Sequence, residues 1–172
     1  MKIRRVLASR ATASVLACLL LVGVSYIVVA ELQRVYVIVN HANAPVTITA
    51  FGKYKYEDDT HISSVVEYTN TTGRDIEALA ITMVYFDAFN EREDGVRGIS
   101  TDTLPAGQQD KGAWSTYGNP GFVKTAMAFV SAVRFADGEV WLADMEDVLQ
   151  EAALLPGLRF LSETEMLEIE SD

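Results

Sequence analysis

The sequence predicts a mainly β chain, an antiparallel two-layer sandwich set between an apolar N-terminal helix and a short C-terminal helix. Three observations carry that prediction. β-Branched and apolar runs of 5 to 14 residues recur from Val46 to Ala143, with turn residues between them. Two of those runs, 76–87 and 123–136, sort into faces at period two. Residues 11–30, ATASVLACLLLVGVSYIVVA, hold no charge.

The first element is that apolar run. At about 1.5 Å per helical residue it spans roughly 30 Å, the hydrocarbon thickness of a bilayer. Lys2, Arg4, Arg5 and Arg10 precede it and Glu31 follows. Residues 1–10 are therefore expected in the cytoplasm and everything past Glu31 outside, as in a single-pass protein of the bacterial inner membrane with a periplasmic or extracellular C-terminal domain. Leu16, Leu19, Leu20, Leu21, Val24 and Ile27 are the expected anchor residues. A cleaved signal peptide is the alternative, with Val28 and Ala30 suited to cleavage before Glu31, but its apolar core is usually about 7–15 residues. Val15-Leu16-Ala17-Cys18 is a poor lipidation box, because the apolar run continues well past Cys18.

Charge bounds the exported part. Four of the 14 basic residues lie in the first ten positions, leaving 10 against 24 acidic residues after the run. Such a surface repels nucleic acid and anionic lipid headgroups, so no nucleic-acid partner is expected. Cys18 is the one cysteine, so a disulfide, a thiol nucleophile and a thiolate metal site are all excluded beyond residue 30. A domain of this size must then stand on its hydrophobic core.

Residues 31–45 read as a linker or a first strand: Val35-Tyr36-Val37-Ile38-Val39 is β-branched and aromatic, and Asn40 to Pro45 is turn-rich. The sandwich proper is expected over 46–143. Its strands are VTITAFGKYKY (46–56), ISSVVEYTN (62–70), IEALAITMVYFD (76–87), VRGISTD (96–102), KGAWSTYG (111–118), VKTAMAFVSAVRFA (123–136) and EVWLA (139–143). Asp137-Gly138 is the expected tight hairpin turn before the last of them. In 76–87 one face is Leu79, Ile81, Met83 and Tyr85, and the other holds Ala78, Ala80 and Thr82. In 127–136 one face is Met127, Phe129, Ser131, Val133 and Phe135, and the other holds Ala128, Val130 and Ala132. These second faces are small and apolar where a solvated strand would be polar, so something is expected to cover them.

Residues 144–172 are expected to form an amphipathic helix and an acidic tail. Asp144 is an N-cap, Pro156-Gly157 a stop, and Met145, Val148, Leu149, Ala152 and Leu155 share one face. That helix is one possible cover for the alanine-rich faces. Ser162 with Glu165 three residues on marks a possible second, short helix.

The turns between the strands carry a resemblance. A strand ends in Asn70, turns through Thr72-Gly73, and leads to a long strand closing on Phe86-Asp87, with Pro105 and Gly107 before the next strand. Over residues 60 to 136 the chain resembles the bacterial exported immunoglobulin-like domains of the FxLYD type. The resemblance implies an immunoglobulin-like sandwich and a non-catalytic surface or accessory module, with no active site to carry over.

No catalytic set emerges from the residues. His41 and His61 are the two histidines, and no zinc-protease, nucleophile-elbow or phosphate-loop motif is present. No cofactor is expected. Glu57-Asp58-Asp59 and Glu91-Glu93-Asp94 are acid clusters that could offer oxygens to Ca²⁺, but solvated loop charge explains them better. Trp114, Tyr117, Trp141, Tyr54 and Tyr56 could form a sugar-stacking platform, or pack in a core or partner interface. Taken together, the expectation is a non-catalytic, membrane-anchored binding module, an accessory subunit of a larger membrane complex. Its candidate interface is Ala78, Ala80, Thr82, Ala128, Val130, Ala132, Trp114 and Tyr117. A released periplasmic ligand- or glycan-binding sandwich and a cell-envelope hydrolase are the alternatives.

Overall fold

The structure, a computed structural model, describes residues 34–55 and 57–158. Eight strands form: β1 (Val35–Ile38), β2 (Val46–Lys53), β3 (His61–Asn70), β4 (Ile76–Phe86), β5 (Arg92–Ser100), β6 (Gln109–Tyr117), β7 (Thr125–Phe135) and β8 (Val140–Leu142). One helix, α1 (Met145–Leu154), follows. A larger sheet runs β1-β7-β4-β5, with β8 also paired to β7, and a smaller sheet runs β2-β3-β6. The expected anchor at 11–30, the linker residues before Arg34 and the acidic tail past Leu158 lie outside the described residues. Among the described residues no helix is long and apolar enough to cross a membrane.

The smaller sheet is antiparallel and the larger one is mixed, where the sequence predicts antiparallel pairing throughout. β1 lies parallel to β7, from Val35 opposite Thr125 to Ile38 opposite Ala128, and the Val39 amide extends the ladder to the Ala128 carbonyl. The cause is local. The Asn40 side chain both accepts from the Ile48 amide and donates to the Ile48 carbonyl, which turns the chain across into the other sheet. β1 and β2 thus cannot close as a hairpin. Residues 35–38 are an integral strand, and the sandwich begins well before Val46. β5 also begins earlier than expected, at Arg92. Its preceding turn is confined to residues 87–91, where the Asp87 carboxylate accepts from the Phe89 and Glu91 amides and Asn90 takes φ 66°.

Between the sheets lies the main core, built from β2 and β3 residues such as Ile48, Ile62, Val66 and Tyr68 against Leu79, Ile81, Met83 and Tyr85 of β4. The Tyr85 hydroxyl donates to Ser64 Oγ across the core at 3.0 Å, and burial pushes it up to about 12. β7 departs from its predicted face sorting at a bulge. Its pairing with β4 steps from Ala80 opposite Ala132 to Ile81 opposite Val130, with Ser131 as the extra residue. Before the bulge Ala126, Ala128 and Val130 point into the main core; after it Val133 and Phe135 do. Met127 and Phe129 therefore face away from the core that holds Val133 and Phe135. A one-residue slip exchanges the two faces, and here it happens mid-strand.

On the far side of the larger sheet a second core forms under α1. Val148, Ala152 and Leu158 pack on Val39, Val84, Phe86, Met127 and Phe129. Asp144 caps the helix by accepting from the Glu146 amide at 2.9 Å, and the Leu155 amide closes the last turn on the Ala152 carbonyl. The β7–β8 hairpin turns at Asp137-Gly138, with Gly138 at φ 91°, as its sequence predicts.

Candidate functional site

The helix covers only half of the sheet it lies on. It lands on the large residues of the outer face, and the alanine end is left open. There Ala78, Ala80, Ala132, Ile99 and Val140 line a shallow concavity of about 220 Å³, with the Arg97 and Arg134 side chains among its walls. Leu142, opposite Ala132 on β8, extends the apolar surface beside it. Leu142 is 67% exposed, Ile99 54% and Val140 52%, whereas Ala80 forms a floor at 4%. Arg134 is engaged with Glu77 at 2.9 Å. Thr82, opposite Phe129 on one side and Arg97 on the other, is half-buried between the covered and open halves.

Three of the eight candidate interface residues, Ala78, Ala80 and Ala132, meet at this concavity. Ala128 and Val130 do not: both are buried in the main core, placed there by the Ser131 bulge, and cannot touch a partner while the sandwich is folded. Trp114 and Tyr117 sit on β6, in the other sheet. The Trp114 ring packs where a Cβ on Gly98 or Gly112 would stand, closing the seam between β5 and β6. Tyr117 is exposed and tilts against His61 at 4.7 Å. Ile99, Val140 and Leu142 are missing from the predicted set although a signal existed. With Trp141 turned inward, period-two alternation sends Val140 and Leu142 out.

The aromatic residues do not share a face. Trp141 stacks on His41 at 5.2 Å, and neither nitrogen of the buried His41 ring has a hydrogen-bond partner. Tyr56 lies outside the described residues. Among the acid clusters, Glu57 is withdrawn from solvent. It takes Arg34 Nη1 and Nη2 at 2.9 and 3.3 Å, Lys53 Nζ at 3.0 Å and the Ser63 amide at 3.0 Å. Burial opposes its ionisation, but these donors outweigh burial and hold the carboxyl below its ordinary value. Asp58 is held at about 2, first by the Thr60 amide, then by the Thr60 hydroxyl and His61. Asp58 meets His61 Nδ1 at 3.1 Å, and the Ser63 hydroxyl is bonded to Ser115 at 2.8 Å. Asp94 accepts from Thr116 and the Gly95 amide. Among the described residues no three His, Cys, Asp or Glu side chains are grouped to hold a metal ion.

Comparison with known proteins gives a fold and no family. No protein-family model matches the chain, and no curated protein matches it. A hypothetical protein of Peptoclostridium difficile 630 is similar in structure, at 12% identity and a TM-score of 0.50, over 74% of this chain and 99% of that one. A DUF1425 family member from Shewanella sp. pv-4 matches at 14% identity and a TM-score of 0.37, over 49% of this chain and 75% of that one. At such identities the first likeness speaks for the β-sandwich alone.

Proposed function

We propose that this chain is a non-catalytic binding module, anchored in the bacterial inner membrane by residues 11–30 with its sandwich on the outer side, and that it serves as an accessory subunit of a larger membrane complex. The observation that supports this reading best is the uncovered apolar concavity at Ala78, Ala80, Ile99, Ala132 and Val140, with Leu142 beside it. A domain of net negative charge that leaves an apolar face open has a reason to bind there. Its shallow apolar floor and two arginines suit a protein segment that offers a few apolar side chains flanked by acids. The turn framework fits the immunoglobulin-like FxLYD type. Asn70 donates to the Arg74, Leu104 and Pro105 carbonyls, Asp87 organises the β4–β5 turn, and Gly107 takes φ 72°.

Purification of the tagged full chain from detergent-solubilised membranes tests the reading. A stoichiometric partner should accompany the wild type and be lost from the Ile99→Arg, Leu142→Arg double variant, with circular dichroism and Tm unchanged. Recovery as a lone monomer in the soluble fraction would replace this reading with a released periplasmic binder. An activity abolished by substituting one serine or histidine would replace it with an envelope hydrolase.

A further inference from the structure

Among the described residues, the exposed large apolar side chains fall into two groups. Ile99, Val140 and Leu142 form the concavity's border. The other five are Val35, Phe89, Tyr117, Phe122 and Leu154, and all five lie at the opposite end of the sandwich. The register places them there. Val35 begins β1 opposite Thr125 at the start of β7, and Phe86 at the end of β4 faces Thr125 and Arg92 at the start of β5. Phe89 tips the β4–β5 turn and Phe122 the loop before β7. Tyr117 ends β6 opposite His61, and the Gly118 amide bonds the Thr60 carbonyl beside it. The α1 C-terminus reaches the same end, since Gly157 sits against Val35 and Val37.

Arg34 is at that end too. It is tied to Glu57 and to the Pro120 carbonyl, one residue short of the Gly121-Phe122 tip. Only Glu31, Leu32 and Gln33 separate Arg34 from the last residue of the uncharged run. At no more than about 3.6 Å per residue, a tether of that length reaches roughly 15 Å at most. That reach is shorter than the sandwich, whose β7 strand of 11 residues spans about 35 Å. Phe89 is 82% exposed and Phe122 63%, side chains that a water-facing loop tip gains nothing by presenting.

We propose that this end of the sandwich rests in the interfacial layer of the bilayer that holds the chain, with Phe89 and Phe122 inserted among the lipid headgroups. The proposal rests on the anchorage proposed above. Asp58, Asp59, Asp87 and Glu91 occupy the same loops, so attachment comes from apolar and aromatic insertion and not from attraction to anionic lipid. The concavity is then presented at the far end, away from the lipid.

The test uses the full chain reconstituted in phosphatidylcholine vesicles with and without brominated acyl chains, comparing Phe89→Trp, Phe122→Trp and Leu142→Trp with the wild type, which carries Trp114 and Trp141. Bromolipid should remove emission from Phe89→Trp and Phe122→Trp beyond the loss seen in the wild type, and leave the added emission of Leu142→Trp intact. Equal quenching at all three positions, or none at Phe89→Trp and Phe122→Trp, overturns the proposal. An alkaline carbonate wash of the same vesicles separates the two readings. A chain that washes off overturns the anchorage and this proposal with it. A chain that stays on while both phenylalanine positions remain unquenched overturns the docked end and leaves the anchorage standing.

Discussion

Glu57 is the residue on which the Arg34 end of the sandwich turns. Its side chain is 1% exposed and Arg34's 9%, so the pair is buried and would be costly to break. Glu57→Gln removes the charge that neutralises Arg34 and should cost about 3 kcal/mol at neutral pH. Because the folded state holds this carboxyl below its ordinary value of 4.5, the stabilisation is complete above that value and is lost as pH falls through the folded one. Denaturant unfolding of the full chain in detergent should thus show a wild-type advantage at pH 7 that narrows in acid; a pH-independent gap would mean lost packing, not lost charge. Asn70 gives a second case. Fully buried, it joins the β3–β4 turn to the Leu104-Pro105 turn through three donated bonds, and its Oδ1 accepts from Thr72. Asn70→Ala should cost about 2–3 kcal/mol by removing the buried bonds that join the two turns, read as a fall in Tm with the sheets retained. The sequence marks Asn70 as a turn residue, but its longer bonds join positions 34 and 35 apart, which no local pattern shows.

At the scale of elements, what the sequence makes legible is whatever is decided locally. Helix α1 is legible because cap, stripe and stop all lie within 14 residues, from Asp144 to Gly157. The Asp137-Gly138 hairpin is legible for the same reason. Two features are decided elsewhere. β1 turns parallel to β7 because Asn40 seizes Ile48, and the β7 face exchanges because β4 pairs around Ser131. Neither leaves a trace in its own strand. The bulge makes a sharp comparison. Ala128→Leu would overpack the main core and should cost about 1–3 kcal/mol, while Ala132→Leu, on the open concavity, should be near neutral. Equal costs at the two positions would mean that β7 keeps its predicted unbroken alternation, with both alanines on one face. Under the helix, Phe129→Ala should cost about 3–5 kcal/mol, since Phe129 is 1% exposed beneath Val148 and Ala152. Truncation after Ala143 should bare the same surface and bring in a hydrophobic dye. Unchanged dye binding would mean that α1 is not its cover.

For the whole molecule, the apolar excess of the outer face is legible in the alanines of β4 and β7, but which half stays open is set by where α1 lands. That landing follows from bulk: Phe86, Met127 and Phe129 offer more area to bury than Ala78, Ala80 and Ala132. Charge acts over the same scale and is fully written in composition. The chain carries −10 overall, and the four bases ahead of the apolar run leave the remainder more negative still. Three ion pairs that offset this repulsion are exposed: Arg74 with Asp137 at 2.6 Å and Glu139 at 2.9 Å, and Arg134 with Glu77 at 2.9 Å. Exposed pairs contribute little, so screening them costs less than screening the surplus negative charge gains. The Arg34–Glu57 pair is shielded from salt by burial. Raising NaCl from about 10 mM to about 300 mM, where the Debye length falls from about 30 Å to about 6 Å, should therefore raise the Tm of the full chain in nonionic detergent. Relief of about 1 kcal/mol corresponds to about 2–4 °C in a chain of this length. A fall in Tm would mean that the arginine pairs stabilise the sandwich more than its net charge strains it, and Arg74→Gln would then reproduce that fall at low salt.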